Sequence, residues 1–350
     1  MGIKPKMGYQ AMERSDVPLT QQDFSSDQMV KWCPGCGDHA ILSAVAKVFP
    51  EIGYKKESFC IVSGIGCSSR FPYYVNTYGF HSIHGRANAV ATGVCIANKH
   101  LSVWVATGDG DSLAIGGNHF IHVIRRNLDL NIMLFNNKIY GLTKGQYSPT
   151  SDMGSVTKTS PYGTIEQPFQ VGELVIGAQG TFFARAIDSN PKFITEVMFE
   201  AAKHDGTSVV EILQNCVIFN DGTHDLITGK ETKDDYQLIL RHGEKMLFGK
   251  NKEKGIRMRK HGLEVVEIGP NGEGLEKVLV HDMYNPNPGV HLMLAKMFPP
   301  HFPIALGVIR SANFPTYELL LQQQIDDCKA TSKIKCVDDL LNSGDTWEIE

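Results

Sequence analysis

The chain has 350 residues, 42% of them hydrophobic, and a formal net charge of −4. That is ample for a large buried core. No clustered basic face marks a nucleic-acid binder, and no apolar segment reaches the ~18 residues that a membrane span needs. The basic stretch Lys250–Lys260 contains Glu253 and Gly255 and reads as a solvated loop. Met1–Asp16 lacks the apolar core of a secretory signal. Lys6 stands where N-myristoylation wants Ser or Thr. The expectation is a cytoplasmic protein that binds neither nucleic acid nor membrane.

Residues 1–30 have no clear apolar period and read as an N-terminal arm. From 31 to 225, apolar runs alternate with helical patterns, as βαβ units do. Asp38–Val48 reads as helix and Phe59–Val62 as strand. His84–Asn98 is a glycine turn running into an Ala-rich helix. Leu101–Thr107 is a strand, followed by a helix from about Leu113 to Arg126, and Leu130–Phe135 is the next strand. Lys144–Gln167 is a long aperiodic stretch, the kind of loop that is usually functional. Helix Pro191–Lys203 and strand Ser208–Leu213 complete this region. Residues 226–350, richer in charge and turns, read as a C-terminal extension packing on the core or on a partner. The fold class is α/β, with a mostly parallel sheet and helices on both faces.

In such sheets ligands gather beyond the carboxyl ends of the strands. Four loops meet that description: Ser63–Arg70, Gly108-Asp109-Gly110-Asp111, Asn136-Asn137 and Gln214-Asn215-Cys216. Asp109 offers a carboxylate. One strand later Asn137 offers an amide oxygen, and Ile139 a backbone carbonyl. Oxygen ligands of this kind suit Mg²⁺, which bridges phosphates. Gly108 and Gly110 let the backbone approach a diphosphate, and a helix N-terminus near Leu113 would favour its charge. The plainer alternative is that the aspartates cap a helix and the asparagines make a turn.

Eight cysteines occur, and a reducing compartment argues against a disulfide framework. Cys60 and Cys95 fall inside element patterns and read as small buried hydrophobes. Cys328 and Cys336 receive no role. Cys33 and Cys36, in Trp32-Cys33-Pro34-Gly35-Cys36-Gly37, could with His39 begin a zinc site. With Cys67 and Cys216, both just after strands, they could instead hold a [4Fe-4S] cluster. Inert cysteines are the third possibility. Gly35, Gly37, Gly64 and Gly66 would leave N–H groups free to approach the sulfurs.

Together these segments resemble the β subunit of the 2-oxoacid:ferredoxin oxidoreductases. The resembling stretches are Cys-Pro-Gly-Cys-Gly at 33–37, Ser-Gly-Ile-Gly-Cys-Ser-Ser at 63–69, His-Gly-Arg-Ala at 84–87, Gly-Asp-Gly-Asp at 108–111, Ile-Tyr-Gly-Leu-Thr-Lys-Gly-Gln at 139–146, Ser-Pro-Thr at 148–150 and Cys-Val-Ile-Phe-Asn-Asp at 216–221. They span roughly 31–225 in consistent order. The resemblance implies a thiamine diphosphate-binding fold over 31–225. It also implies one [4Fe-4S] cluster on Cys33, Cys36, Cys67 and Cys216. Asp109, Asn137 and the Ile139 carbonyl would bind Mg²⁺, with Gly108, Gly110, Asp111, Gly141 and Leu142 also at the cofactor. The reaction implied is decarboxylation of a 2-oxoacid, with single electrons passing to the cluster and on to ferredoxin, and the acyl group to coenzyme A.

The carboxylate that activates the aminopyrimidine comes, in this family, from the α subunit. An obligate α partner is therefore expected, as an αβ dimer of dimers. No Cys-x-x-Cys-x-x-Cys-x-x-x-Cys run marks an added ferredoxin-like domain. Arg70, Lys144 and His84 are the catalytic candidates, the two cations as anchors for substrate carboxylates. Arg86, Gln146, Ser148 and Thr150 are further candidates for the pocket or its covering loop. The Leu-Thr-Lys-Gly-Gln loop points to 2-oxoglutarate as substrate and succinyl-CoA as product, with pyruvate the alternative and CO₂ fixation by the reverse reaction chemically open. The rival readings are a thiamine-dependent decarboxylase or synthase subunit without a cluster, and a zinc- or Fe–S-binding scaffold without thiamine.

Overall fold

A computed structural model describes residues 12–349. Residues 1–11, which carry the Gly2 and Lys6 positions, lie outside the described residues. The strands are β1 (Phe59–Ser63), β2 (Tyr78–His81), β3 (Ser102–Gly108), β4 (Leu130–Asn136), β5 (Ile139–Tyr140), β6 (Gln146–Tyr147), β7 (Phe182–Ile187), β8 (Ser208–Leu213), β9 (Gln237–Ile239), β10 (Leu247–Phe248), β11 (Lys254–Arg259), β12 (Gly262–Glu267) and β13 (Ile304–Ser311). Eight of them form one sheet in the order β2-β1-β3-β4-β8-β7-β13-β9. Every pairing in it is parallel except β13 against β7. Strands β10–β12 make a separate antiparallel sheet, and β5 with β6 a short hairpin.

A strand covered on both faces sends alternate side chains into two cores. Ile61, Trp104, Ala106, Met133, Phe135, Val210 and Ile212 point into one, with helices α1 (Asp38–Ile52) and, after the short α2 (Phe71–Tyr74) and others named below, α7 (Pro191–Lys203). Cys60, Val62, Val103, Val105, Ile132, Leu134 and Val209 point into the other. That core is closed by α3 (Ala87–Ala97), α5 (Gly117–Arg126) and α6 (Val171–Gly177). The remaining helix before α5 is α4 (Asp109–Leu113). Both buried cysteines, Cys60 and Cys95, pack as small hydrophobes in this second core. The N-terminal arm is tied down where it is described: Phe24 is fully buried, edge-on to Phe49 and Phe59. Among the described residues no helix is long and apolar enough to cross a membrane.

Four features differ from the sequence expectation. The stretch Lys250–Lys260, expected as a solvated loop, carries strand β11. The single helix from Leu113 to Arg126 is two, because Ala114–Gly116 breaks it. The turn there needs glycine: a Cβ at Gly116 would lie 2.5 Å from the Asp111 carbonyl and 2.9 Å from the Cα of Gly85. The helix N-terminus thus falls at Asp109 itself and not near Leu113. Strand β7 was hidden because Arg185 interrupts its apolar run. Finally, residues after 226 supply β9 and β13 to the main sheet in addition to packing on it.

Arg185 sits fully buried on β7 and is paired at 2.7 Å with Glu211 on β8. Its remaining nitrogens donate to the carbonyls of Ala295 and Ala305, and Phe183 and Phe298 flank the guanidinium. Losing one partner of such a pair strands a buried charge, whereas replacing both can be nearly neutral. Arg185→Met should therefore destabilise the chain by about 3–5 kcal/mol, and Arg185→Met with Glu211→Met by clearly less, as read from urea unfolding.

Candidate active site

The carboxyl ends of β1, β3, β4 and β8 lie side by side, so the four loops expected to converge do so. Asp109 opens α4 directly after β3 and is 2% exposed. One of its oxygens lies 2.5 Å from the hydroxyls of both Ser148 and Thr150. Both hydroxyls come from the long loop after β6, which gives that loop its purpose. Among the described residues no cation pairs with Asp109, and burial pushes its carboxyl above the ordinary range. A buried carboxylate held by two hydroxyls and by backbone N–H groups, with no cation beside it, suits a divalent ion, whose charge would relieve the desolvation.

The neighbouring side chains extend this set. Thr150 also lies 2.9 Å from Asn136 Oδ1, and Asn136 Nδ2 donates to Glu211 at 2.7 Å. A continuous polar path thus runs from Arg185 through Glu211, Asn136 and Thr150 to Asp109. It engages both ends of the Asn136 amide. The Asn137 amide oxygen accepts from the N–H of Ile139 at 3.2 Å. Asp111 has its oxygens engaged elsewhere: the N–H groups of Ile65 and Gly85 and the Thr107 hydroxyl donate to it. It pins the β1 and β3 loops to the turn at His84-Gly85.

The cysteines form the adjoining part. Cys67 and Cys216 lie close enough to Cys36, and Cys33 and Cys216 close enough to Cys67, to add to the upward shift of those two thiols. Burial raises the Cys36 thiol strongly and the Cys67 thiol to about 12. A metal that bonds these sulfurs takes them as thiolates and releases the protons. Trp32 Nε1 donates to the Cys67 carbonyl at 2.7 Å and so holds the first cysteine loop on the second. Among the described residues, no three His, Cys, Asp or Glu side chains gather around a position for a single ion. Zinc needs its sulfurs ~2.3 Å from one centre, whereas an iron–sulfur cubane is a larger body with a thiolate at each corner. Beside the sulfurs, Asp38 is buried, and desolvation lifts its carboxyl to about 7.

Three consecutive residues join the two parts. Ile139 carries the expected metal-binding carbonyl, Tyr140 Oη donates to the Gly110 carbonyl at 2.9 Å, and Gly141 lies against the sulfurs. A Cβ on Gly141 would sit 3.5 Å from Cys216 Sγ and 3.7 Å from Cys67 Sγ. Gly110 has to be glycine, because a Cβ there would lie 2.2 Å from the Tyr140 ring.

The substrate candidates are more dispersed. Arg70 Nε donates to Tyr74 Oη at 2.8 Å, and its charge favours the Cys67 thiolate. Lys144 and Leu142 are exposed on the turn after Gly141. His84 Nδ1 is 3.6 Å from Asp111 and open to solvent. Sequence reasoning missed Arg185, Glu211, Asp38, Asp188 and His224. For the first two a signal existed, since each is a charge placed mid-strand.

Residues 64–212 match the family model described as thiamine pyrophosphate enzyme, C-terminal TPP binding domain. With the parallel sheet and its Asp109 edge, this defines a thiamine-enzyme cofactor domain. The chain is 45% identical over its whole length to the 2-oxoglutarate oxidoreductase subunit KorB of Mycobacterium tuberculosis, spanning 94% of that protein. It is also 45% identical, over 53% of its length and 69% of the relative's, to the 2-oxoglutarate synthase subunit KorB of Archaeoglobus fulgidus. A solved structure of 2-oxoglutarate:ferredoxin oxidoreductase from Magnetococcus marinus, with 2-oxoglutarate, coenzyme A and succinyl-CoA bound, is similar at a TM-score of 0.75. Its identity is 30%, and the match covers 97% of this chain and 100% of that one. The chain belongs to the KorB family of 2-oxoacid oxidoreductase subunits.

His224 reports on this site. Its Nε2 lies 3.2 Å from the Asn136 carbonyl, which can only accept, so the neutral ring carries its hydrogen there. Burial is the main cause that pushes its pKa down to about 4 from the ordinary 6.5. The unfolded chain therefore takes up this proton first as pH falls, and stability is lost between those two values. Relative to pH 7, wild-type protein should lose about 2 kcal/mol through His224 at pH 5. Urea unfolding of His224→Gln should show a correspondingly flatter pH dependence.

Proposed function

We propose that this chain is the β subunit of a 2-oxoglutarate:ferredoxin oxidoreductase. With an α partner and coenzyme A it would convert 2-oxoglutarate to succinyl-CoA and CO₂ and pass two electrons, one at a time, to ferredoxin. The observation that supports the reading is the Ile139-Tyr140-Gly141 turn, in which Tyr140 holds the Gly110 carbonyl and Gly141 lies against Cys67 and Cys216.

Asp109, Asn137 and the Ile139 carbonyl would hold Mg²⁺ and, through it, the diphosphate, with Gly108 and Gly110 giving the backbone close approach. When bound, thiamine diphosphate supplies the nucleophilic carbon and the electron sink for decarboxylation. Cys33, Cys36, Cys67 and Cys216 would ligate a [4Fe-4S] cluster, which supplies a one-electron carrier. The chain's own residues bind and orient these groups. Tyr140 buttresses Gly110, Ser148 and Thr150 hold Asp109, and Leu142 offers apolar surface to a cofactor or to the α subunit. Lys144 and Arg70 are proposed to attract the substrate carboxylates, and His84 to border the pocket. Tyr78, Phe80, Ile83 and Ile165 are exposed apolar side chains, a surface for the α subunit to cover in an αβ dimer of dimers. A cytoplasmic setting, and a reverse reaction that fixes CO₂, are part of the same proposal. So is a boundary near 225 between the cofactor domain and the C-terminal extension.

The test is a crossed pair of variants in the anaerobically purified αβ complex. Cys67→Ser should lose most of the iron and the reduced-cluster EPR signal while still binding thiamine diphosphate. Asp109→Ala should keep the iron and weaken thiamine diphosphate and Mg²⁺ binding at least 100-fold by calorimetry. An iron-free wild-type complex would overturn the electron route, and an Asp109→Ala complex with unchanged cofactor affinity would overturn the thiamine assignment.

A further inference from the structure

Gln214 directly follows β8, and its side chain is 1% exposed. Its backbone N–H donates to the Asn136 carbonyl at 2.9 Å, which anchors it to the end of β4. Its side-chain Nε2 lies 2.6 Å from the Asn215 carbonyl oxygen and 3.3 Å from Cys36 Sγ. The orientation of the amide follows from the first contact. A carbonyl oxygen only accepts, so the atom facing it is the NH₂ group. That group has two hydrogens, one for the carbonyl and one for the sulfur. Gly37 makes the approach possible: a Cβ there would lie 2.8 Å from Gln214 Cγ and 2.0 Å from Asp188 Oδ2. The donor thus arrives from the β8 end, while the sulfur belongs to the loop before α1.

We infer that Gln214 sets the reduction potential of the cluster by donating an N–H to the Cys36 sulfur. This role rests on the proposed ligation by Cys33, Cys36, Cys67 and Cys216. One-electron reduction adds a negative charge that spreads over the sulfurs, and an N–H aimed at a ligand sulfur stabilises the reduced state more than the oxidised one. The potential is thereby raised. One electron enters the cluster, no covalent bond changes, and Gln214 keeps both amide hydrogens. It is a positioning residue on the electron route, with its main chain on β4 beside Asn137 and its side chain on a ligand.

The measurement is an EPR-monitored redox titration of the anaerobic αβ complex with wild type and Gln214→Met, a variant of similar volume without the donor. The expected result is a more negative midpoint potential, with iron content and thiamine diphosphate affinity unchanged. Wild type labelled with ¹⁵N in glutamine side chains gives a second readout that no variant can disturb. Its reduced cluster should show a ¹⁵N hyperfine coupling, and that coupling should disappear in Gln214→Met if the variant retains iron. An unchanged midpoint, or no ¹⁵N coupling in wild type, would overturn the role of Gln214 while leaving the cluster in place. An iron-free wild-type complex would overturn the cluster and this role together.

Discussion

The active edge depends on one buried ion pair. Arg185 and Glu211 lie on adjacent strands in the middle of the sheet, where an unpaired charge would be intolerable. Glu211 can only accept, so it dictates which way the Asn136 amide faces. Asn136 then presents its oxygen to Thr150, and Thr150 lies against Asp109. Orientation is handed along this path without any residue having rotamer freedom to spare. Because Arg185 also binds the carbonyls of Ala295 and Ala305, the segment after 226 helps to hold an aspartate that precedes it by almost two hundred positions. A carboxylate fixed this way is organised before any cofactor arrives.

The same economy governs the cysteines. Their loops start from the ends of β1 and β8 and from the turn into α1, and backbone contacts gather them: Trp32 on the Cys67 carbonyl, and the Gly37 N–H on the Asn215 carbonyl. Glycines at 37, 110 and 116 are required because other atoms occupy the space a side chain would need.

Much of this was legible in the sequence. Strand periodicity gave β1, β3, β4 and β8 nearly to the residue, and the loops after them carried Asp109, Asn137, Cys67 and Cys216 in plain view. What escaped depended on partners distant in the chain. Strand β7 was masked by Arg185, whose charge makes sense only once Glu211 is beside it. The break at Ala114–Gly116 answers to Gly85 from another loop. Gln214 stood beside a candidate ligand in the sequence, yet its contact is with Cys36, 178 positions earlier in the chain. The membership of β9 and β13 in the main sheet was hidden because β13 joins β7 antiparallel, which leaves no βαβ rhythm to follow.

The turn Ile139-Tyr140-Gly141 has a consequence for how such an enzyme can change. The gap between the Asp109 edge and the sulfurs is spanned by main chain, with Tyr140 clamped on Gly110 at one end and Gly141 against Cys67 and Cys216 at the other. Exchanging side chains can alter affinity or potential at either end, but it cannot lengthen the span. Only an inserted or deleted residue could, and a one-residue slip would reverse the faces of the β5–β6 hairpin. The spacing between the two halves of the site is therefore a quantised property, inherited whole or lost whole.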